Sequence, residues 1–219
     1  MRSEPTILAF DTSAAHCAAA LLSEDRVLAR RSETMSKGQA ERLMPLLQKV
    51  LDEGRTRLED LDAIGVGIGP GNFTGTRLSV AAARGLALSL GIPAIGVGTL
   101  EAMALGTDGP VLCSLDGRRE KFYVQVFHDE TRTAPGLFSF DEIPWPASET
   151  NVAVIGHRAE ELANASGSAV CTPSYPLAEA IARIAAARMQ EGTQPRPAPL
   201  YIRPADAAPP ADPPPMILP

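Results

Sequence analysis

The stretch Gly65-Val66-Gly67-Ile68-Gly69-Pro70-Gly71-Asn72-Phe73-Thr74-Gly75-Thr76-Arg77, with the Ala-rich apolar run that follows to Leu90, decides the reading of this chain. It predicts a buried strand, a glycine loop and the start of a helix. Glycine permits backbone dihedrals and close approaches that a Cβ would block. Thr74 is placed to cap the helix, whose N-terminal N–H groups and dipole favour an anion. The loop nonetheless fits neither common phosphate template. A P-loop needs Gly-Lys-Ser/Thr, and here Gly75 is followed by Thr76 and Arg77. A dinucleotide fingerprint begun at Gly69 meets Thr74 where its third glycine belongs.

On either side of this stretch, strands and helices alternate. Ile7 to Phe10 is a short apolar strand closing on Asp11-Thr12-Ser13. Cys17 to Leu22 and Arg26 to Arg31 follow as strands, turning at Ser23-Glu24-Asp25. Gln39 to Leu51 places apolar residues at 43, 44, 46, 47, 50 and 51, the spacing of a helical stripe. Pro45 interrupts it, removing one helical hydrogen bond, and Gly54 ends it. Ala63 to Ile68 is a strand, Thr74 to Leu90 a helix, and Ile92 to Val97 a strand. Three hairpin-like strands followed by helix, strand, helix, strand describe a ribonuclease-H-like α/β unit.

The second half opens in the same way. Val111 to Leu115 closes on Asp116-Gly117-Arg118, and Lys121 to Phe127 follows as an alternating strand. A strand, an Asp and a tight turn therefore occur twice, at Asp11 and Asp116, which predicts a duplicated fold with a cleft between the halves. Val152 to Gly156 reads as a strand and Leu177 to Gln190 as a helix. The expected division is residues 1–105, residues 106–206 and a tail, 207–219. Residues 192–219 hold many of the 20 prolines, a density that forbids helix and disfavours strand pairing. The tail is therefore expected to be extended and poorly ordered.

Composition narrows the function. A length of 219 residues allows a substantial core, as one large domain or two of about 100 residues. The net charge of −6 argues against a stand-alone nucleic-acid binder, although Arg118-Arg119 forms a local basic pair. No apolar run reaches the roughly 18 residues of a membrane helix, and the N-terminus lacks the order of a signal peptide. Cys17, Cys113 and Cys171 are odd in number and far apart, which suits reduced core thiols in a cytoplasmic protein.

Six elements together carry a family resemblance. They are Ile7-Leu8-Ala9-Phe10-Asp11-Thr12-Ser13, Gly69 to Arg77, Gly85-Leu86-Ala87, Ile92 to Val97, Asp116-Gly117-Arg118 and Tyr201-Ile202-Arg203. In this order they resemble the TsaB (YeaZ) family of bacterial threonylcarbamoyladenosine biosynthesis. The resemblance implies an α/β, actin-like ATPase (ASKHA) fold of two ribonuclease-H-like domains with mixed sheets. It also implies a non-catalytic scaffold subunit in the cytoplasm, without a cofactor. Such a subunit pairs with the paralogue TsaD, which transfers threonylcarbamoyl to N6 of the adenosine beside the tRNA anticodon. The ATPase TsaE joins the same assembly, and tRNA is met only through the complex.

TsaD itself carries a His-x-x-x-His metal pair after the strand corresponding to Ile92–Val97. That register here places Thr99 and Met103, neither a good ligand for a divalent ion, and His16, His128 and His157 have no i, i+4 spacing. The alternatives are an actin-like kinase or ATPase and a plain homodimeric binding module. A kinase would use Asp11 and Asp116 to hold Mg²⁺, with Gly69, Gly71, Thr74 and Gly75 on phosphates. The first turn, Asp11 to His16, has no glycine for such an approach, so these six residues are candidates for a vestigial nucleotide site. Asp11 reads equally as a bond to local N–H groups, and Arg77 is expected to pair with a nearby carboxylate. The resemblance implies that the helices Gln39–Leu51 and Thr74–Leu90 meet TsaD, or a second copy when TsaD is absent. Leu43, Met44, Leu47, Val50, Ser79, Ala83 and Leu86 are the interface candidates.

Overall fold

Alternation along the first strand sets the layers of the first half. The structure is a computed structural model that describes residues 5–128, 131–146 and 152–202. β1 (Thr6–Asp11) sends Leu8 and Phe10 to one face of its sheet and Ile7 and Ala9 to the other, and all four are fully buried. A strand apolar on both faces needs cover on both, as in the central strands of α/β sheets. β2 (His16–Ser23) and β3 (Arg26–Thr34) add as an antiparallel meander on one side of β1. On its other side lie β4 (Ala63–Gly67) and β5 (Ala94–Val97), parallel to it and to each other. The order is β3-β2-β1-β4-β5.

One face of this sheet is covered by α1 (Gln39–Glu53) and α2 (Phe73–Leu90). Leu43, Leu46, Leu47 and Val50 of α1, and Val80 and Ala83 of α2, pack with Leu8, Phe10, Leu21 and Val66. α1 continues through Pro45. The opposite face takes α5 (Leu177–Gln190), whose Ala180, Ile181 and Ala185 pack on Ile7, Ala9 and Ile95. α5 thus returns from late in the chain to the first sheet.

The second sheet repeats the plan. β6 (Val111–Asp116) pairs antiparallel with β7 (Lys121–His128), and β10 (Ala153–Gly156) lies parallel on its other side. Asp116 pairs with Phe122 as Asp11 pairs with Ala18. The duplication around the two aspartates is therefore topological. Short strands β8 (Thr131–Arg132) and β9 (Gly136–Ser139) flank β7, and β11 (Ala169–Val170) flanks β10. α4 (Ala159–Ser166) covers one face through Leu162 and Ala163. α3 (Thr99–Ala104) covers the other through Leu100 and Met103.

α3 joins the two sheets. Its Glu101 accepts from Arg188 of α5 at 2.5 Å and from Arg132 of β8 at 2.8 Å, while Arg188 also donates to the Gly96 carbonyl at 2.5 Å. No described helix is long and apolar enough to cross a membrane. The Pro-rich tail read as poorly ordered lies outside the described residues.

Candidate functional site

β1 delivers Asp11 to its C-terminal end beside Gly67 at the end of β4. Strand ends of this kind are where open α/β sheets bind ligands, and here the space is filled by the protein itself. Asp11 is fully buried. Its Oδ1 accepts from the Ser13 N–H and the Ser13 hydroxyl, each at 2.9 Å, and contacts His16 Nε2 at 2.7 Å. Asp11 therefore bonds its own turn. Its Oδ2 is buried without a hydrogen-bond partner among the described residues and lies so close to Gly67 that a Cβ there would overlap it.

The glycine loop closes on this turn. The Asn72 N–H donates to the Ser13 carbonyl at 2.5 Å, and the Thr12 hydroxyl to the Gly75 carbonyl at 2.7 Å. A Cβ on Gly71 would strike the Ser13 carbonyl oxygen, and one on Gly75 the Thr12 carbonyl oxygen. These two glycines are required because two backbone segments touch. Gly69, at φ 90°, accepts from the Thr99 N–H at 2.8 Å. Asn72, not Thr74, caps α2, its side chain accepting from the Gly75 N–H at 3.0 Å, while Thr74 is exposed. The cap lies two residues earlier than expected because the helix begins at Phe73. The Asn72, Gly75 and Thr76 N–H groups are thus already paired with this turn and cap.

Asp116 ends in an exposed counterpart. Its Oδ1 accepts from the Arg118 N–H at 2.8 Å, and Arg118, Arg119 and Glu120 are all left-handed, with φ of 60°, 50° and 58°. The structure thus brings Asp11, Gly71 and Gly75 into one cluster and places Asp116 at the matching end of the other sheet. Ser13 and His16 both reach the same Asp11 oxygen. No hydrogen bond among the described residues joins His16 to Ser13, whose hydroxyl donates to Asp11 instead. Among the described residues no three His, Cys, Asp or Glu side chains converge on a metal-sized space. Burial pushes the Cys17 thiol up to about 11 and the Cys113 thiol up to about 12, leaving both protonated and inert at neutral pH.

The helix face read as a partner surface is narrower than its apolar stripe. Leu43, Leu47, Val50, Ser79 and Ala83 are buried inside this chain, so they are core positions and not surface. Sequence periodicity marks which residues share a face, and the sheet beneath claims that face. Met44 (48% exposed) and the half-buried Leu86 do reach the surface.

Between α2 and the segment 196–201 runs an open groove of about 530 Å³, lined by Arg77, Arg84, Gly85, Leu88, Arg196 and Tyr201 among others. Among the described residues Arg77 meets no carboxylate. Its guanidinium lies 3.6 Å over the Phe73 ring and donates to the Tyr201 hydroxyl at 2.6 Å. Arg196 and Tyr201 escape a reading by periodicity because they lie on irregular, Pro-rich chain. The Leu200 N–H bond to the Ile68 carbonyl, 2.8 Å, brings that chain back beside the glycine loop.

A family model described as "TsaD: tRNA N6-adenosine threonylcarbamoyltransferase" matches residues 30–141. The chain is 34% identical over 209 residues to uncharacterized protein ML0378 of Mycobacterium leprae, covering 93% of this chain and 56% of that protein. It is 38% identical over 130 residues to the tRNA threonylcarbamoyladenosine biosynthesis protein TsaB of Escherichia coli, covering 57% of this chain and 56% of that one. It thus spans about half the length of these curated relatives. A crystal structure from Pseudomonas aeruginosa, of an uncharacterized protein with similarity to peptidase YEAZ, superposes with a TM-score of 0.77 at 26% identity. It covers 91% of this chain and 100% of that chain. The fold is the α/β, actin-like ATPase fold with two mixed sheets, and the chain belongs to the TsaB (YeaZ) family.

Proposed function

We propose that this chain is a non-catalytic scaffold subunit that binds TsaD, together with TsaE, in the threonylcarbamoylation of tRNA adenosine at N6. The observation that carries the reading is the closure of the glycine loop on the Asp11-Thr12-Ser13 turn. The Asn72 N–H and the Thr12 hydroxyl are spent on that contact, and Asp11 is sealed at the centre of it. A carboxylate that holds Mg²⁺ or activates water must face its ligand, and Asp11 faces its own turn. Thr99 and Met103, the positions matched to the metal-binding pair of TsaD, are buried on α3. Asp11, Gly71 and Gly75 then act as the packing that fixes the start of α2.

Fixing α2 gives the subunit its task. The outward side of α2, with Met44 of α1, is a rigid face on which a structurally similar partner docks. The same face serves a homodimer when TsaD is absent, as related shapes pair about a two-fold axis. In this reading the protein is cytoplasmic and needs no cofactor, and the division near residue 105 separates a partner-binding half from a second half that buttresses it.

The test has two arms. Size-exclusion chromatography of the protein with TsaD from the same source is expected to give a stable complex. The isolated protein is expected to show no ATP hydrolysis or threonylcarbamoyl transfer. Turnover that disappears in Asp11→Ala would overturn the non-catalytic reading. Elution of two separate proteins at micromolar concentration would overturn the scaffold reading.

A further inference from the structure

We infer that the α2 groove selects its occupant by charge, taking a partner helix that carries carboxylates along its apolar stripe. The inference rests on the scaffold reading above and names what the partner must present.

The floor of the groove is made of small residues. Ala81 and Gly85 are exposed one turn apart, and a Cβ built on Gly85 meets nothing within 4 Å. A floor this shallow lets another helix axis come close. Leu88, 78% exposed, stands at one end as an apolar anchor. Arg77, Ala81, Arg84 and Leu88 follow one another at three- and four-residue steps, a stripe about 16 Å long at 1.5 Å per residue.

The rim is cationic. Arg77, Arg84 and Arg196 line the groove and hold no carboxylate among the described residues. Several arginines elsewhere are paired, among them Arg31 with Glu53, Arg42 with Glu33 and Arg188 with Glu101. Arg77 is held in place by Phe73 and Tyr201, so little side-chain entropy remains to be lost on docking. In a chain of net charge −6 these cations form a local field of opposite sign, the arrangement that steers a complementary partner and sets register. A nucleic acid fits less well. The Phe73 and Tyr201 rings, each about half exposed, are already engaged by the Arg77 guanidinium and by one another at 5.4 Å between centroids, so a stacking base would compete with these contacts. The apolar floor has no use for a sugar–phosphate chain.

The experiment measures binding of the full chain to TsaD at low and high salt, for wild type, Arg84→Glu and Gly85→Leu. Circular dichroism of each variant confirms the fold. Arg84→Glu is expected to weaken binding about tenfold at low salt, with a smaller loss at high salt where the charges are screened. Gly85→Leu is expected to weaken binding equally at both. If wild type binds and both folded variants bind as tightly, this inference is overturned and the scaffold reading stands. If wild type does not bind, the scaffold reading itself falls. Gel-shift loss with tRNA alone in Arg84→Glu, with TsaD binding unchanged, would assign the groove to nucleic acid and overturn the inference. A wild-type homodimer broken by Arg84→Glu, again with TsaD binding unchanged, would assign it to a second copy and overturn it equally.

Discussion

Alanine in place of glycine at two positions of α2 is expected to move stability in opposite directions, although both sites are helical and both changes remove the same unfolded-state freedom. At Gly85 the new Cβ enters open space. Mid-helix alanine is favoured over glycine by about 1 kcal/mol, so Gly85→Ala should raise Tm by about 2–4 °C for a chain of this size. At Gly75 the new Cβ overlaps the carbonyl oxygen of Thr12, a backbone atom with no rotamer to escape into. Either the first turn of α2 or the β1–β2 turn must shift. Such overpacking costs about 1–3 kcal/mol. The shift also endangers the Thr12–Gly75 hydrogen bond, worth about 1 kcal/mol. Setting the helix-propensity gain against these terms leaves a net loss of about 2 kcal/mol, or a Tm lower by about 4–8 °C. Differential scanning calorimetry of the two variants beside wild type decides it. A Gly75→Ala protein as stable as Gly85→Ala would refute the claim that the loop is closed by the Thr12 turn. The site would then have room for a ligand.

Four further predictions rest on burial and pairing. Ala83→Glu places a charge in a fully buried position and should leave no soluble folded protein, whereas Leu88→Glu, on the 78% exposed side, should stay within about 0.5 kcal/mol of wild type in urea unfolding. In the native state at pH 8, iodoacetamide should label Cys171, which is partly exposed, and spare Cys17 and Cys113, with all three labelled in denaturant. Because burial raises the folded thiol values above the ordinary 9.0, the folded state holds those protons longer. Their contribution to stability is complete below pH 9 and is lost as pH rises towards 11 and 12, which a series of alkaline melts would record. In a double-mutant cycle, Glu101→Gln and Arg188→Met should couple by about 1 kcal/mol, since the two groups meet at 2.5 Å where α3 crosses to α5; additivity would show the link to be slack.

Much of the secondary structure was legible in the residues because it rests on local pattern. Apolar alternation at Ile7 to Phe10 and the stripe from Leu43 to Leu51 identify their elements without any partner. The second Asp-ended strand at Asp116 disclosed the duplication. Short pieces such as α3, α4 and the two-residue strands escaped, because so few residues make no period and long-range contacts alone hold them in place. The cap of α2 was missed by two residues, since Asn72 and Thr74 are both competent caps and only the packing on Ser13 selects between them. What periodicity could not decide was which sheet each helix serves. α5 crosses back to the first sheet, and α1 spends on that sheet the leucines that appeared free for a partner. The glycine loop carries the same lesson. Its sequence permits close approach to anything, whether a phosphate or another backbone, because glycine removes an obstacle without specifying what replaces it. Only the tertiary structure, by setting the Thr12 and Ser13 carbonyls against Gly75 and Gly71, determined that the neighbour is the protein's own chain.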